Sequence, residues 1–313
     1  MNKIYYLLVA ISVMAFTATA QEGGSYISVT GNVGSSSLNY KLKGIDGNRD
    51  SKVGYGMNLE YSYFFDEHWG VASGLGFTHF KTMVYTNGTI SKDDYFSLGM
   101  QIDNDDISGN PKDYDLRARL ANWDEKQYGY FLDIPVQGKY QTRFGETQRW
   151  GMYAGLGVKL QFPVRAKYSF LDNKETRLNV SGYYAHIPED VGAPGLQPVP
   201  QHGFGTTETP ENVLNGKGNA KLQMSVTGSL ELGFMVDLGQ NMDLLLGGYF
   251  DYGFNDLKKK KSKSLLTAPE NYHPDADNNV GKGISYDGLL NTHFTNKVNL
   301  VSFGAKIGLR FKL

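Results

Sequence analysis

Six histidines are the candidates for acid–base chemistry, and their surroundings decide how far that idea goes. His68 sits in a short polar turn and His79 at the end of an alternating segment, while His186, His202, His273 and His293 fall in long polar stretches. A hydrolytic site needs a hydroxyl nucleophile beside a histidine that an acid orients. The nearest approach, His293-Phe294-Thr295, has no serine at the required place, so no catalytic residue is expected. Two acidic segments, from Asp103 to Gly109 and from Asp275 to Gly281, have the carboxylate density of calcium loops. Neither carries the Gly and Glu at the spacing an EF-hand requires, so both read as solvated loops, and no metal or other cofactor is expected. With no cysteine in the chain, a thiolate zinc site, a disulfide framework, a Cys nucleophile and a lipid-bearing N-terminal cysteine are excluded. What remains is charge placed among apolar residues: Glu60, Lys139, Lys159, Glu231, Asp251, Lys306 and Arg310, and a lysine run at Lys258, Lys259, Lys260, Lys261 and Lys263.

The elements that must position these charges follow from composition and pattern. The 313 residues include 31 Lys plus Arg against 32 Asp plus Glu, a net charge of −1, which removes any global case for nucleic-acid binding. With 38 glycines, 21 tyrosines and a mean hydropathy of −0.39, the chain suits strands and polar loops better than helices. Residues 1–20 read as a cleaved signal peptide: Lys3, an apolar run from Ile4 to Phe16, and Ala18-Thr19-Ala20 before Gln21. No other apolar run approaches the length of a spanning helix, so any membrane residence must use strands.

Period two recurs eight times in residues 21–313. From 222 to 236 the even positions read Leu222, Met224, Val226, Gly228, Leu230, Leu232, Phe234 and Val236, against Gln223, Ser225, Thr227, Ser229, Glu231, Gly233 and Met235. Successive strand side chains point to opposite faces, so this segment has one apolar and one polar side. The same alternation predicts strands near 25–33, 53–65, 69–77, 128–142, 150–162, 242–254 and 301–313. Helical spacing would scatter these sets around a cylinder. Aromatic residues cluster at the segment ends: Tyr63, Phe65, Trp69, Trp150, Phe234 and Phe311 at one, Tyr55, Phe77, Tyr128, Tyr130, Phe162, Tyr252 and Phe254 at the other. Two such bands mark the two interfaces of a membrane barrel.

Connections alternate between tight and long. Asp66-Glu67-His68, Gly145 to Gln148 and Gly239-Gln240-Asn241 are tight, and spans near 34–51, 83–125, 168–220 and 257–296 are long. The span 168–220, with Pro188, Pro194, Pro198, Pro200 and Pro210, reads as irregular and mobile. The expected fold is therefore all-β: an eight-stranded antiparallel up-and-down transmembrane β-barrel with long extracellular loops, short periplasmic turns and both termini in the periplasm.

The signal peptide, the Gly- and aromatic-rich hairpins, the segment Tyr130-Phe131-Leu132-Asp133-Ile134-Pro135-Val136 and the alternation ending in Phe311-Lys312-Leu313 together resemble the eight-stranded outer-membrane barrel domain typified by the transmembrane part of outer-membrane protein A. That resemblance covers residues 21–313 and implies residence in the bacterial outer membrane. It also implies assembly by the barrel-assembly machinery and periplasmic chaperones, with Phe303, Ile307, Leu309, Phe311 and Leu313 forming the C-terminal assembly signal.

Eight strands enclose an interior that side chains can fill, so the inward charges are expected to pair across a plugged lumen, Glu231 with Lys306 or Arg310 and Glu60 with Lys139. The lysine run, just beyond the seventh strand, lies where lipopolysaccharide phosphates would be, and a loop base pairing with acidic neighbours is the other reading. The expected role is structural or interactive, with loops presented for adhesion or docking of an extracellular or envelope protein. The alternatives are a narrow channel or secretion component and, less favoured, a lipid-modifying enzyme. Partners are outer-membrane lipids and lipopolysaccharide, not nucleic acid.

Overall fold

The structure, a computed structural model, describes residues 23–88, 96–103, 112–184, 196–197, 204–259, 263–269, 272 and 280–313. The signal-peptide segment, most of both acidic segments, His186, His202, His273, Lys260 and Lys261 lie outside the described residues.

Eight antiparallel strands form the wall: β1 (Gly24–Asn39), β2 (Val53–Phe64), β3 (Trp69–Thr86), β4 (Asp124–Phe144), β5 (Trp150–Leu171), β6 (Ser225–Gly239), β7 (Met242–Gly253) and β8 (Asn299–Lys312). Each pairs with its neighbours in sequence, and β1 pairs with β8 from Tyr26 opposite Lys312 to Asn39 opposite Asn299. Closure leaves the wall without an unpaired edge. Among the described residues no helix is long and apolar enough to cross a membrane. The alternation maps directly onto the two faces: on β2, Val53, Tyr55, Met57, Leu59 and Tyr61 are exposed, while Gly54, Gly56, Glu60 and Ser62 are buried in the lumen.

Three tight turns close one end of the wall. In the first, the Asp66 carboxylate accepts the backbone N–H groups of Trp69 at 2.6 Å and His68 at 2.7 Å, and these bonds hold its carboxyl below the usual range. In the third, Gly239, Gln240 and Asn241 all have positive φ (83°, 54° and 61°), the left-handed conformation a reversal of this tightness demands. Both ends of the described chain, Gly23 and Leu313, lie at this turn end, where Leu313 N–H bonds Ser25 O.

Aromatic pairs mark both rims. Trp69 packs edge-on against Tyr140 at 4.9 Å beside the turns, and Phe77 stacks on Tyr130 at 4.9 Å and Tyr55 on His79 at 4.6 Å at the far rim. Beyond the far rim β3, β4 and β5 continue to Thr86, Asp124 and Leu171, well past the layer where a bilayer ends.

The long connections differ from the irregular segments the sequence suggests. Phe96–Asp103, Lys112–Ala121 and Arg177–Tyr183 form a second sheet with the short pieces Leu196–Gln197 and Gly205–Thr207. Gly47–Ser51 extends the wall beside β3, and Lys217–Asn219 extends it beside β5. The described part of span 168–220 is thus folded. The reason is its apolar content: Phe170, Leu178, Val180, Phe204 and Leu214 join Leu38, Trp123, Tyr286, Leu289 and Leu300 in one buried core over the mouth of the barrel. β1 is also longer than the predicted 25–33: Ser36 and Leu38 keep the inward parity of Ser28 and Thr30, Ser37 is covered on the other face by Ser51, and the wall continues to Asn39.

Candidate functional site

The lumen is built by the inward phase of every strand, and its charges meet in layers. Nearest the turns, Arg310 donates to the Asp243 carboxylate at 2.7 and 3.1 Å and to Gln141 Oε1 at 2.8 Å, and Arg143 reaches the other Asp243 oxygen at 2.6 Å. In the middle, Glu231 lies between Lys139 and Lys306 and bonds both, while Lys139 also reaches Glu60 at 2.9 Å. Towards the loops, Lys159 pairs with Asp251 at 2.8 Å, and Asp133 accepts Thr78 Oγ1 at 2.5 Å and Gln161 Nε2 at 3.0 Å. Gln161 in turn accepts Thr227 Oγ1 at 2.6 Å.

Lys139, Lys159, Lys306, Arg143 and Arg310 thus face Glu60, Asp133, Glu231, Asp243 and Asp251, an even balance of cations and carboxylates. An unpaired ion here would cost several kcal/mol, so the balance is what lets so many charges sit inside a wall. Space for them comes from glycines on the neighbouring strands. A Cβ on Gly155 would stand 2.7 Å from Cγ and Oε1 of Glu231, so only glycine leaves room for that carboxylate beside β5. What the side chains leave empty is a cavity of about 20 Å³ between Glu60, Lys139, Tyr153, Glu231 and Lys306, room for one or two waters.

All seven inward charges named from the sequence lie in the lumen; of the two partners expected for Glu231 it bonds Lys306, while Arg310 bonds Asp243. Sequence parity also puts Asp133 and Asp243 on the polar faces of their strands, outside the seven expected at membrane depth, and the structure brings both into the network. Arg143 was missed because it lies one residue past the expected end of its strand at 142.

Above the charges the mouth is sealed. Glu125, fully buried at the loop end of β4, accepts the Tyr286 hydroxyl, the Leu289 N–H at 2.8 Å and Gln127 Nε2 at 2.6 Å. Trp123 Nε1 donates to Tyr286 at 2.9 Å, and Gln127 to the Tyr40 hydroxyl at 2.7 Å. Burial raises the Glu125 carboxyl above its usual range and the Tyr40 and Tyr286 phenols well above theirs.

The other candidates are dispersed. Lys258 Nζ donates to the carbonyls of Thr292 and, at 2.9 Å, Thr295, and Lys263 pairs with Asp287 at 2.5 Å, so these two lysines of the run hold their own loop together, while Lys259 is exposed. Phe303, Ile307, Leu309, Phe311 and Leu313 all point outward. His293 packs on Phe294 with rings 4.1 Å apart, and among the described residues no group of three His, Asp or Glu side chains could hold a metal ion.

Comparison with solved structures finds similarity to Neisserial surface protein A (12% identity, 94% of this chain and 100% of that chain, TM-score 0.36). OprG from Pseudomonas aeruginosa is similar at 18% identity over 94% of this chain and 98% of that chain, TM-score 0.34. Ail of Yersinia pestis, crystallised with the heparin analogue sucrose octasulfate, is similar at 14% identity over 93% of this chain and 100% of that chain, TM-score 0.31. No curated protein matches. The sequence model of the outer membrane protein beta-barrel domain family matches residues 19–259, spanning β1 to β7 of a wall that closes with lipid-compatible residues outside and paired charges within. The chain belongs to that family, and its place is the bacterial outer membrane.

Proposed function

We propose that this protein is a plugged barrel whose work is done at the cell surface, where it presents the folded loop cap for adhesion or for docking of an envelope or extracellular partner. The observation that carries this reading is the double closure of the lumen: balanced ion pairs fill the membrane layer, and Trp123, Phe170, Tyr286 and Leu289 are fully buried across the mouth. A folded cap on a rigid scaffold is a suitable binding platform. In this reading residues 1–20 are removed on export, the tight turns face the periplasm, and the outward row Phe303, Ile307, Leu309, Phe311 and Leu313 is what the assembly machinery reads.

The test is planar-bilayer conductance of the refolded chain lacking residues 1–20, with heat-modifiable gel migration to establish that the barrel has formed. A folded barrel with no steady conductance is expected. Discrete channels that disappear on Glu231→Gln or Arg310→Gln would replace this reading with transport.

A further inference from the structure

The outer surface of the wall changes character within one residue step at the loop-side rim. Phe77, Leu132 and Phe162 stand side by side on β3, β4 and β5, all exposed and apolar. The next outward row holds His79, Tyr130 and Arg165, the one after it Lys81, Tyr128, Lys167 and Asn219, and the third Met83, Lys126, Ser169 and Lys217. Lys221 follows on the same side as Lys217, because Ala220 and Leu222 on either side of it are buried. Six cations, Lys81, Lys126, Arg165, Lys167, Lys217 and Lys221, therefore share one face of four adjacent strands, about 15 Å wide at ordinary strand spacing.

A β-bulge puts two of them there. On β5 up to Phe162 the odd residues Lys159 and Gln161 point into the lumen, but the register shift between Tyr130 and Phe131, opposite Arg165 and Pro163, inserts an extra residue on β5. After it Ala166, Tyr168 and Phe170 are buried, and Arg165 and Lys167 turn outward. Re-aiming side chains is a recognised use of such bulges.

None of the six is in an ion pair with a described residue; Lys126 lies 5.1 Å over the Tyr128 ring. Two outward carboxylates border the face: Asp50, opposite Met83 on Gly47–Ser51, pairs with Lys52 at 3.2 Å, and Asp124, one row further out, accepts Asn173 Nδ2 at 3.1 Å. Cations with no ion-pair partner among the described residues, immediately above an apolar and aromatic rim, face the layer where lipid phosphates lie.

We propose that this face binds a phosphorylated glycolipid of the outer leaflet, a lipopolysaccharide, by its phosphate groups, with the acyl chains on Phe77, Leu132, Phe162 and Val164. The occupant follows from position: a ligand on this face touches the apolar rim and the cations together, which a soluble anion would not. The proposal rests on the long-loop end facing outward, as in the preceding reading, but its readout is binding and not conductance, so the two fail separately.

The test is binding of purified lipopolysaccharide to the detergent-folded protein, against the same glycolipid stripped of phosphate and against inorganic phosphate as competitor. Wild-type binding should weaken with added salt. Replacing Lys81, Lys126, Arg165 and Lys167 together with Gln should weaken it by at least roughly tenfold, each cation near an anionic membrane surface contributing a share of the attraction. A variant with Arg in place of the three lysines should bind as wild type, and it carries the test with the salt series if the Gln variant does not fold. Unchanged binding by the Gln variant, equal binding of the dephosphorylated glycolipid, or inorganic phosphate binding as tightly as the glycolipid would each overturn the proposal.

Discussion

The Glu125 carboxylate on β4 accepts the phenolic hydroxyl of Tyr286, a residue 161 positions later in the last loop, and both side chains are buried. No cation shares that carboxylate; its other donors are Gln127 and the Leu289 backbone. The contact therefore fastens the last loop to the wall through hydrogen bonds alone. Tyr286→Phe leaves Glu125 short of one donor and Trp123 Nε1 short of its acceptor. Each buried group left unsatisfied costs about 1–3 kcal/mol. The expected outcome is new protease cleavage within 254–298 while the barrel keeps its heat-modifiable migration; an unchanged digest would mean that the apolar core alone holds the loop.

The same contact gives a pH dependence whose sign is fixed. Burial is the largest influence on Glu125 and raises its carboxyl above the usual value, with the Tyr286, Gln127 and Leu289 bonds opposing. A group whose pKa is higher in the folded state stabilises that state most below its unfolded value, about 4.3, and the contribution is lost as pH rises through the folded value. Protection of the Leu289 amide from hydrogen exchange, corrected for intrinsic rates, should therefore decline as pH is raised from about 4 towards neutrality. Glu125→Gln should flatten that decline, and an equal slope in the variant would assign it elsewhere.

In the membrane layer the weight falls on Glu231, which serves two lysines. Glu231→Gln leaves Lys139 with Glu60 but leaves Lys306 with no carboxylate, and removing one partner of a buried pair costs about 3–5 kcal/mol. Adding Lys306→Met to Glu231→Gln should return a large part of that loss, because the stranded charge is gone. Urea unfolding in lipid measures both, and a double variant no better than the single one would show that the pair is not the source of the cost.

How much of this was readable beforehand depends on range. Alternation is a local signal, and it places Glu60, Lys139, Glu231 and Lys306 inside because each sits among apolar neighbours of opposite parity. Partner choice is not local: Arg310 meets Asp243 because they stand opposite each other across β7 and β8, and that register follows from closure of the whole wall. The bulge before Arg165 was equally hidden, since one inserted residue inverts the parity of everything after it on β5. The cap was missed for a different reason: Leu178, Val180 and Phe204 are scattered among polar residues, and only the four long connections packing together give them a core.

Outward positions near mid-membrane give an independent check of register. Leu230 and Phe250 stand opposite each other on β6 and β7, 39% and 45% exposed on the lipid side. Arg at either should cost roughly 2–4 kcal/mol of stability in a bilayer. Arg in place of Phe254, at the far rim, should cost much less, about 0–1 kcal/mol, because its guanidinium reaches the headgroups. Equal losses at all three sites would place the membrane band elsewhere on the wall.

Gly155 tests whether the lumen is filled to the limit. Its missing Cβ is the space that Cγ and Oε1 of Glu231 occupy, so Gly155→Ala must push the carboxylate away from Lys139, Lys306 or both. Overpacking of this kind costs about 1–3 kcal/mol, to which the weakened ion pairs add. The sharper readout is the coupling. Because the alanine acts by displacing Glu231, much of its effect should vanish once Glu231 has been shortened to Ala, and the double variant should be more stable than the sum of the single losses allows by about 0.5–3 kcal/mol. Strict additivity would mean that the methyl group strains the β5 backbone itself, and that the Glu231 carboxylate is free to settle elsewhere in the lumen.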